Sequence, residues 1–378
     1  MQERAIIIVG SGPAGISTAL SIKRVAPHLA DELLVLEKAR HPRPKLCGGG
    51  LTQYATELLR SLDLQIQSPS FRVHKVRFYL HTRPIHVRKP NIIRIIRRDE
   101  FDAELVRHAT ERGIHVHENE AVVDIKRRNG FLEVATQKDV YKARVVVGAD
   151  GAKSVVRRKL IREGHSRVSR LMEVLVRVDE SQTPEFSEQM AVFDFRGMRD
   201  HLQGYQWDFP CYVDGQAHLN IGIFDSRILP GQRANLKDSL LERLRRRGIA
   251  PEQVTFLGHP ERWFSRRGRY AQPNVLLVGD AAGIEPLFGE GISVALAYGP
   301  VAARAIKHAF ENGDFGFHTY KRLILRNRLG RILTRNRFVA RHFYARKNQR
   351  LLSGLASVAA FCFNARWALS RGSGSLPN

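Results

Sequence analysis

Cysteine is scarce: the 378 residues hold three, Cys47, Cys211 and Cys362. They are too few and too scattered for a disulfide framework, a zinc cluster or a four-cysteine iron–sulfur cluster, and no bound metal is expected. Long apolar runs are missing as well. The stretch Leu351–Ala365 has fifteen residues without formal charge but includes Ser353, Gly354, Ser357 and Asn364. A bilayer span takes about 20 apolar residues, so this segment is too short and too polar to cross. The N-terminal MQERAIIIVGSGPAG runs directly into a strand-like pattern, so no secretory signal is expected, and a reducing cytoplasmic setting is the default expectation. Acidic residues stop at Asp314. With 43% hydrophobic and 26% charged residues the chain is ordinary globular material, neither disordered nor collagenous.

What is abundant is positive charge, 61 Lys+Arg against 37 Asp+Glu for a net +24. Its distribution matters more than its size. From Phe315 to Asn378 there are thirteen Lys/Arg and no acid, so this segment carries +13 and the first 314 residues carry +11. Such a balance points to phosphate-rich partners, either nucleic acid or an anionic membrane surface.

The apolar pattern resolves the chain into parts. Ala5–Val9 reads as a buried parallel strand, glycines follow, Ala14–Val25 suits a helix, and a second apolar run over Glu32–Leu36 ends in Glu37. This is a β-α-β unit. Two further apolar runs, Ala143–Val147 and Asn274–Val278, each close on a glycine cluster. Between them, Leu171–Val178, Met190–Phe195 and Gln216–Phe224 alternate with period two, as in an antiparallel sheet. The expected architecture is α/β: a Rossmann-like dinucleotide-binding domain of residues 1–165 and 270–314, an inserted antiparallel substrate domain of residues 166–269 joined by strands around 70–97, and a basic helical region over 315–378.

Gly10-Ser11-Gly12-Pro13-Ala14-Gly15 is a G-x-G-x-x-G motif with a strand before it, a helix after it, and Glu37 22 residues beyond Gly15. Gly10 permits the tight turn, Gly12 lets the main chain approach a pyrophosphate, and Gly15 allows close helix–strand packing. The helix N-terminus through Pro13 and Ala14 offers free N–H groups and partial positive charge. Glu37, followed by Lys38, can accept hydrogen bonds from a ribose diol.

Further motifs carry a resemblance. Gly148-Ala149-Asp150-Gly151-Ala152-Lys153-Ser154 resembles the DG motif of FAD-dependent hydroxylases. Gly279-Asp280-Ala281-Ala282-Gly283, followed by Gly289-Glu290-Gly291-Ile292, resembles their GD motif, and Arg98-Asp99-Glu100-Phe101-Asp102 their R-x-x-F-D segment. Pro44-Lys45-Leu46-Cys47-Gly48-Gly49-Gly50 resembles the P-x-x-C-G-G-G signature of geranylgeranyl reductases, and Gly204-Tyr205-Gln206-Trp207-Asp208-Phe209-Pro210 their Y-x-W-x-F-P motif. To about Arg304 the chain therefore resembles the geranylgeranyl reductase family within the p-hydroxybenzoate-hydroxylase-like flavoproteins. The resemblance implies FAD as cofactor, held by the Gly10–Gly15 loop, Glu37, Lys38, Cys47, Gly48, Arg98, Val122, Asp150, Gly151, Gly279, Asp280, Gly289, Gly291 and Ile292. It places Cys47, Gly48, Gly49, Tyr205 and Trp207 at the catalytic centre. Cys211 stands where the family commonly has a lysine.

By the same resemblance, the expected reaction is reduction of isolated C=C bonds in an isoprenoid chain, with NAD(P)H as a transient reductant. Cys47, Tyr205 or a bound water are the proton donors considered. The alternatives are an O₂-dependent monooxygenase or halogenase on the same scaffold, and electron transfer to quinone of the FixC type, which would need an iron–sulfur partner. Fold alone does not decide among them. In the basic tail, helical from about Phe317 to Ser370, apolar residues recur at Leu325, Leu329, Ile332, Leu333, Val339 and Phe343. A basic amphipathic helix on an anionic membrane is the expected use, giving a cytoplasmic protein peripheral on the membrane's inner face; nucleic acid is disfavoured because aromatics interleave little with the cations.

Overall fold

The computed structural model describes residues 1–161 and 168–345. A first sheet runs in the order Ala271–Gln272, Val275–Leu277, Val140–Gly148, Gln2–Val9, Leu33–Leu36, His115–His117, and is parallel from its second strand onward. The hairpin Val122–Arg128/Phe131–Thr136 extends it through Val140–Gly148. Its centre is the first strand, whose Ile6, Ile7 and Ile8 are fully buried. β-Branched side chains suit a strand covered on both faces.

Helix Pro13–Val25 leaves this strand with proline in its first turn, where the missing N–H has no intrahelical partner to lose. It packs on the long helix Ile292–Asn312. The approach is close: a Cβ on Gly299 would lie 2.2 Å from Ser17 Oγ, and that hydroxyl donates to the Leu296 carbonyl at 2.7 Å. The late segment thus returns to cover the first β-α-β unit.

A second eight-stranded sheet runs Leu257–Arg262, Val168–Arg177, Gln216–Asp225, Gly204–Val213, Met190–Asp194, Ser70–Tyr79, Pro84–Ile96, Gly50–Thr52. Its pairs are antiparallel except Met190–Asp194 with Ser70–Tyr79. The short strand Gly50–Thr52, unmarked in the sequence pattern, ties the glycine run after Cys47 to this sheet through Pro84–Ile96. The chain between Leu36 and Gly48 therefore crosses from the first sheet to the second, against which the glycine run lies.

The basic tail forms two helices, Tyr320–Arg326 and Arg328–Ala345. Its apolar side is used against the body. Phe317, Tyr320, Ile324, Leu329 and Leu333 join the core of the first sheet, while Ala340 and Tyr344 join that of the second. Val339, part of the apolar pattern read from sequence, is instead 38% exposed, beside Phe338 at 64%. Residues 346–378, with the Leu351–Ala365 stretch and Cys362, lie outside the described residues. Among the described residues no helix is long and apolar enough to cross a membrane.

Candidate functional site

The glycine loop is built for close approach. Gly10 has φ 103° and a Cβ on Gly15 would sit 1.9 Å from the Gly10 carbonyl oxygen, so both positions require glycine. At Gly12 the nearest atom a Cβ would meet is Arg43 Nη2 at 3.8 Å, leaving open space over the turn. No side chain caps helix Pro13–Val25, and its first turn has no acid. Its N–H groups face that space with their partial positive charge.

Glu37 ends the second parallel strand, almost fully buried. Its carboxylate accepts from Ser11 N at 3.0 Å, Ser11 Oγ at 2.8 Å and Ala39 N at 3.1 Å. Burial opposes its charge, but the Arg43 guanidinium at 3.5 Å and these N–H and O–H donors outweigh it and hold the carboxyl below its ordinary value. Lys38 beside it is exposed. Val122 opens the hairpin nearby, two residues after Glu120, whose N–H donates to the Glu37 carbonyl at 2.8 Å. Arg98, at the start of helix Arg98–Glu111, is locked by a two-pronged bond to Asp102, Nε to Oδ1 and Nη2 to Oδ2, both at 2.8 Å. Its charge also favours the ionised form of the Cys47 thiol.

The two aspartate motifs lie at the ends of neighbouring parallel strands, Val140–Gly148 and Val275–Leu277. Asp150 Oδ2 accepts from Val155 N at 2.6 Å and Val156 N at 3.2 Å, while its buried Oδ1 has no partner. Burial raises its carboxyl above the usual range. Gly151, at φ 76°, has nothing within 4 Å of its Cβ direction. Gly279, at φ 56°, brings the Asp280 turn against Ala14, which a Cβ would meet at 2.7 Å. Gly289, at φ 65°, and Gly291 lead into helix Ile292–Asn312, whose N-terminus again has no side-chain cap.

The Cys47 loop is clamped from the second sheet. Cys47 N donates to Glu173 Oε1 at 3.1 Å, Asn220 Nδ2 donates to the Cys47 carbonyl at 3.3 Å, and Trp207 Nε1 donates to Asn220 Oδ1 at 2.7 Å. Trp207 is therefore placed to orient this network. Trp207 and Phe209 also lie on Gly48, where a Cβ would meet Phe209 ring carbons at 3.1 Å. Gly49 must be glycine, since its φ is 77° and a Cβ would stand 2.0 Å from the Ile96 carbonyl. Burial pushes the Cys47 thiol up, against the pull of Arg98, so it is neutral at pH 7. Cys211 is pushed up to about 12 by the same cause. The Tyr205 phenol donates to the Phe288 carbonyl at 2.5 Å and is raised well above its usual value by burial.

Several charged groups of the cleft escaped the sequence reading. Burial raises Glu173 to about 7 and leaves its Oε2 without a partner. Lys45 Nζ donates to His259 Nε2 at 2.6 Å, and burial with the surrounding cations Lys45, Arg98 and Lys153 presses His259 down to about 3. Glu261 is raised by burial and by Asp280. Glu285 caps the loop behind it, accepting from Leu287, Phe288 and Glu290 N–H groups at 2.7, 2.9 and 2.9 Å. The available signal was strand phase: Glu173 falls on the inward phase of Val168–Arg177, and His259 and Glu261 share one face of Leu257–Arg262.

An open cradle over Gly12 and Gly151, two uncapped helix N-termini, a buried acid at the strand end and orphaned Asp150 Oδ1 and Glu261 Oε2 fit a flavin dinucleotide in polarity and in space. The fold and this donor set define an FAD-dependent oxidoreductase. A family model described as the FAD binding domain matches residues 3–297, and the chain belongs to that family. It is similar to the digeranylgeranylglycerophospholipid reductase of Thermoplasma acidophilum, 27% identical over 350 residues covering 86% of this chain and 84% of the relative. The menaquinone reductase of Mycolicibacterium smegmatis is 27% identical over 326 residues, covering 80% and 76%. Among solved structures, a geranylgeranyl bacteriochlorophyll reductase-like protein from Thermoplasma acidophilum superposes with TM-score 0.75 at 23% identity, covering 95% of this chain and 92% of that one.

Proposed function

We propose that this flavoprotein reduces isolated C=C bonds in the prenyl chain of a lipid. The observation that carries the reading is a continuous aromatic path leading away from the Cys47–Gly50 loop. Trp207 and Phe209 rest on Gly48, Phe193 lies 5.1 Å from both Phe209 and Tyr205, and Phe288, 39% exposed, marks the outer end. An apolar chain seated against this aromatic cluster would bring an alkene near the glycine run and exclude water there. FAD held there would supply hydride chemistry for one alkene carbon. The protein's residues would do the rest: Asn220 and Glu173 fix the loop, Asp280 and Glu37 would hold the cofactor's hydroxyls, and the charge of Arg98 acts on Cys47. A proton must reach the other carbon. Tyr205 is already committed to the Phe288 carbonyl, so the neutral Cys47 thiol or a water beside it is the favoured donor. NAD(P)H is the proposed reductant, binding transiently.

The membrane role of the tail rests on its outer face. Phe338 and Val339 are exposed on helix Arg328–Ala345, among exposed Arg331, Arg335 and Arg341, a basic surface with apolar anchors suited to anionic headgroups. Flotation on anionic liposomes, comparing the wild type with Arg331→Gln/Arg335→Gln/Phe338→Ser, tests it; equal binding by both proteins removes the membrane role.

The enzyme reading is tested by anaerobic incubation of FAD-loaded protein with dithionite or NADPH and geranylgeranyl lipids. Mass spectrometry should show two hydrogens gained per double bond. Unchanged lipid sinks the proposal, and oxygen-dependent hydroxylation under air would establish the monooxygenase alternative.

A further inference from the structure

A second cleft, of about 490 Å³, opens on the edge of the second sheet beside the flavin cleft. Lys153, Arg170, Arg227, Lys237 and His259 line it together with Asn235. Arg227 is paired with Asp225, Nε to Oδ2 at 3.1 Å. Lys153, Arg170 and Lys237 form no ion pair among the described residues. Three uncompensated cations therefore face one space. Helix Leu236–Arg246 begins at the same rim, where Asn235 Oδ1 accepts from Lys237 N at 3.1 Å and Asp238 stands in the first turn. Like charges gathered around a cavity repel one another unless an anion offsets them.

The cleft is continuous with the flavin site through one pair. His259 lines it, and the same ring accepts a hydrogen bond from Lys45, whose charge lies near Asp280 and Glu261. Lys153 belongs to the glycine turn that holds Asp150. We infer that this groove is a phosphate-ester site, which places a phosphate-bearing ligand against the rim of the flavin cleft. Lysine and arginine side chains around an open cavity suit phosphate oxygens, and the neutral His259 ring adds a polar contact without adding charge. Two sources present this chemistry: the phosphates of a nicotinamide dinucleotide donor, and the head of a phosphoglycerolipid. The inference rests on the flavoprotein class; only the choice between these sources leans on the proposed reductase reading.

The test is calorimetric titration of FAD-loaded protein with two redox-inactive probes, 2′-phospho-ADP-ribose and sn-glycerol 1-phosphate. The wild type should bind one or both. Arg170→Gln/Lys237→Gln, at exposed positions away from the flavin motifs, should weaken that binding about tenfold or more with flavin absorbance unchanged, while Arg322→Gln on the tail should leave it intact. Binding of the first probe assigns the groove to the electron donor, and binding of the second assigns it to the lipid head. No binding of either probe by the wild type, or equal binding by the double variant, overturns the site. Because no turnover is measured, failure to reduce prenyl lipids would leave this result standing.

Discussion

Glu173 gives the most quantitative prediction. Its carboxyl is 3% exposed on the face of the second sheet that meets the Cys47 loop, and burial raises it from an ordinary 4.5 to about 7 against the Cys47 N–H, Asn220 and two cations. A folded-state value raised above the unfolded one means that the acid form is the one the fold prefers. Its contribution to stability is full below pH 4.5, declines as pH rises, and is gone above about 7. At 1.36 kcal/mol per decade the whole difference is about 3 kcal/mol, of which about 2.5 falls between pH 5 and 8. Glu173→Gln keeps the acceptor for Cys47 N but cannot ionise. Urea denaturation of both proteins at saturating FAD should give stability curves that diverge across this window, with the variant gaining relative to the wild type as pH rises. Glu261, Glu285 and Asp150 are also raised by burial, but they are common to both proteins and cancel in the difference. Parallel curves would refute the placement of a buried acid under the loop.

Three other outcomes follow from the geometry. Gly15→Ala puts a methyl 1.9 Å from the Gly10 carbonyl oxygen; the glycine turn must open, at roughly 3 kcal/mol, and the purified protein should lose its flavin absorbance. Tyr344→Phe removes the donor that holds the buried Leu287 carbonyl at 2.5 Å. It should cost about 1–3 kcal/mol in denaturant midpoint analysis and raise KM for an apolar substrate more than it lowers kcat, because Leu287 precedes Phe288 at the mouth of the aromatic path. Cutting the chain after Asp314 strips five buried side chains, Phe317, Tyr320, Ile324, Leu329 and Leu333, from the first core. At roughly 1.5–3 kcal/mol each this approaches the whole stability of a domain, so size-exclusion and near-ultraviolet dichroism should report aggregated or unfolded protein; a native monomer would contradict the packing.

Much of the fold was legible because local rules and tertiary demands coincide in a Rossmann-like unit. Ile6–Ile8 must be apolar on both faces, Gly10 and Gly15 must be glycine for steric reasons, and an acid must end the second strand; each leaves a mark within forty residues. Motif spacing located Asp150, Asp280, Arg98 and Cys47 without indicating what they touch. The strand Gly50–Thr52 left no mark, since three residues cannot establish a period and its partner lies forty residues on. The tail's apolar spacing was legible, but its packing against both cores was not, because which surface needs covering is set only by the folded body.

By itself, then, the sequence determined the parts whose constraint is local: the phosphate turn, the flavin motifs and the first β-α-β unit. It also determined the total charge and its division at Asp314. The tertiary structure alone decided how distant side chains meet. It brought Glu173 and Asn220 from neighbouring strands to grip both ends of the Cys47 peptide. It joined Lys45 to His259 across more than two hundred residues, and it turned the tail's apolar side inward onto both cores. A raised carboxyl or a field of unpaired cations arises from burial and proximity, quantities that exist only once the chain has closed on itself.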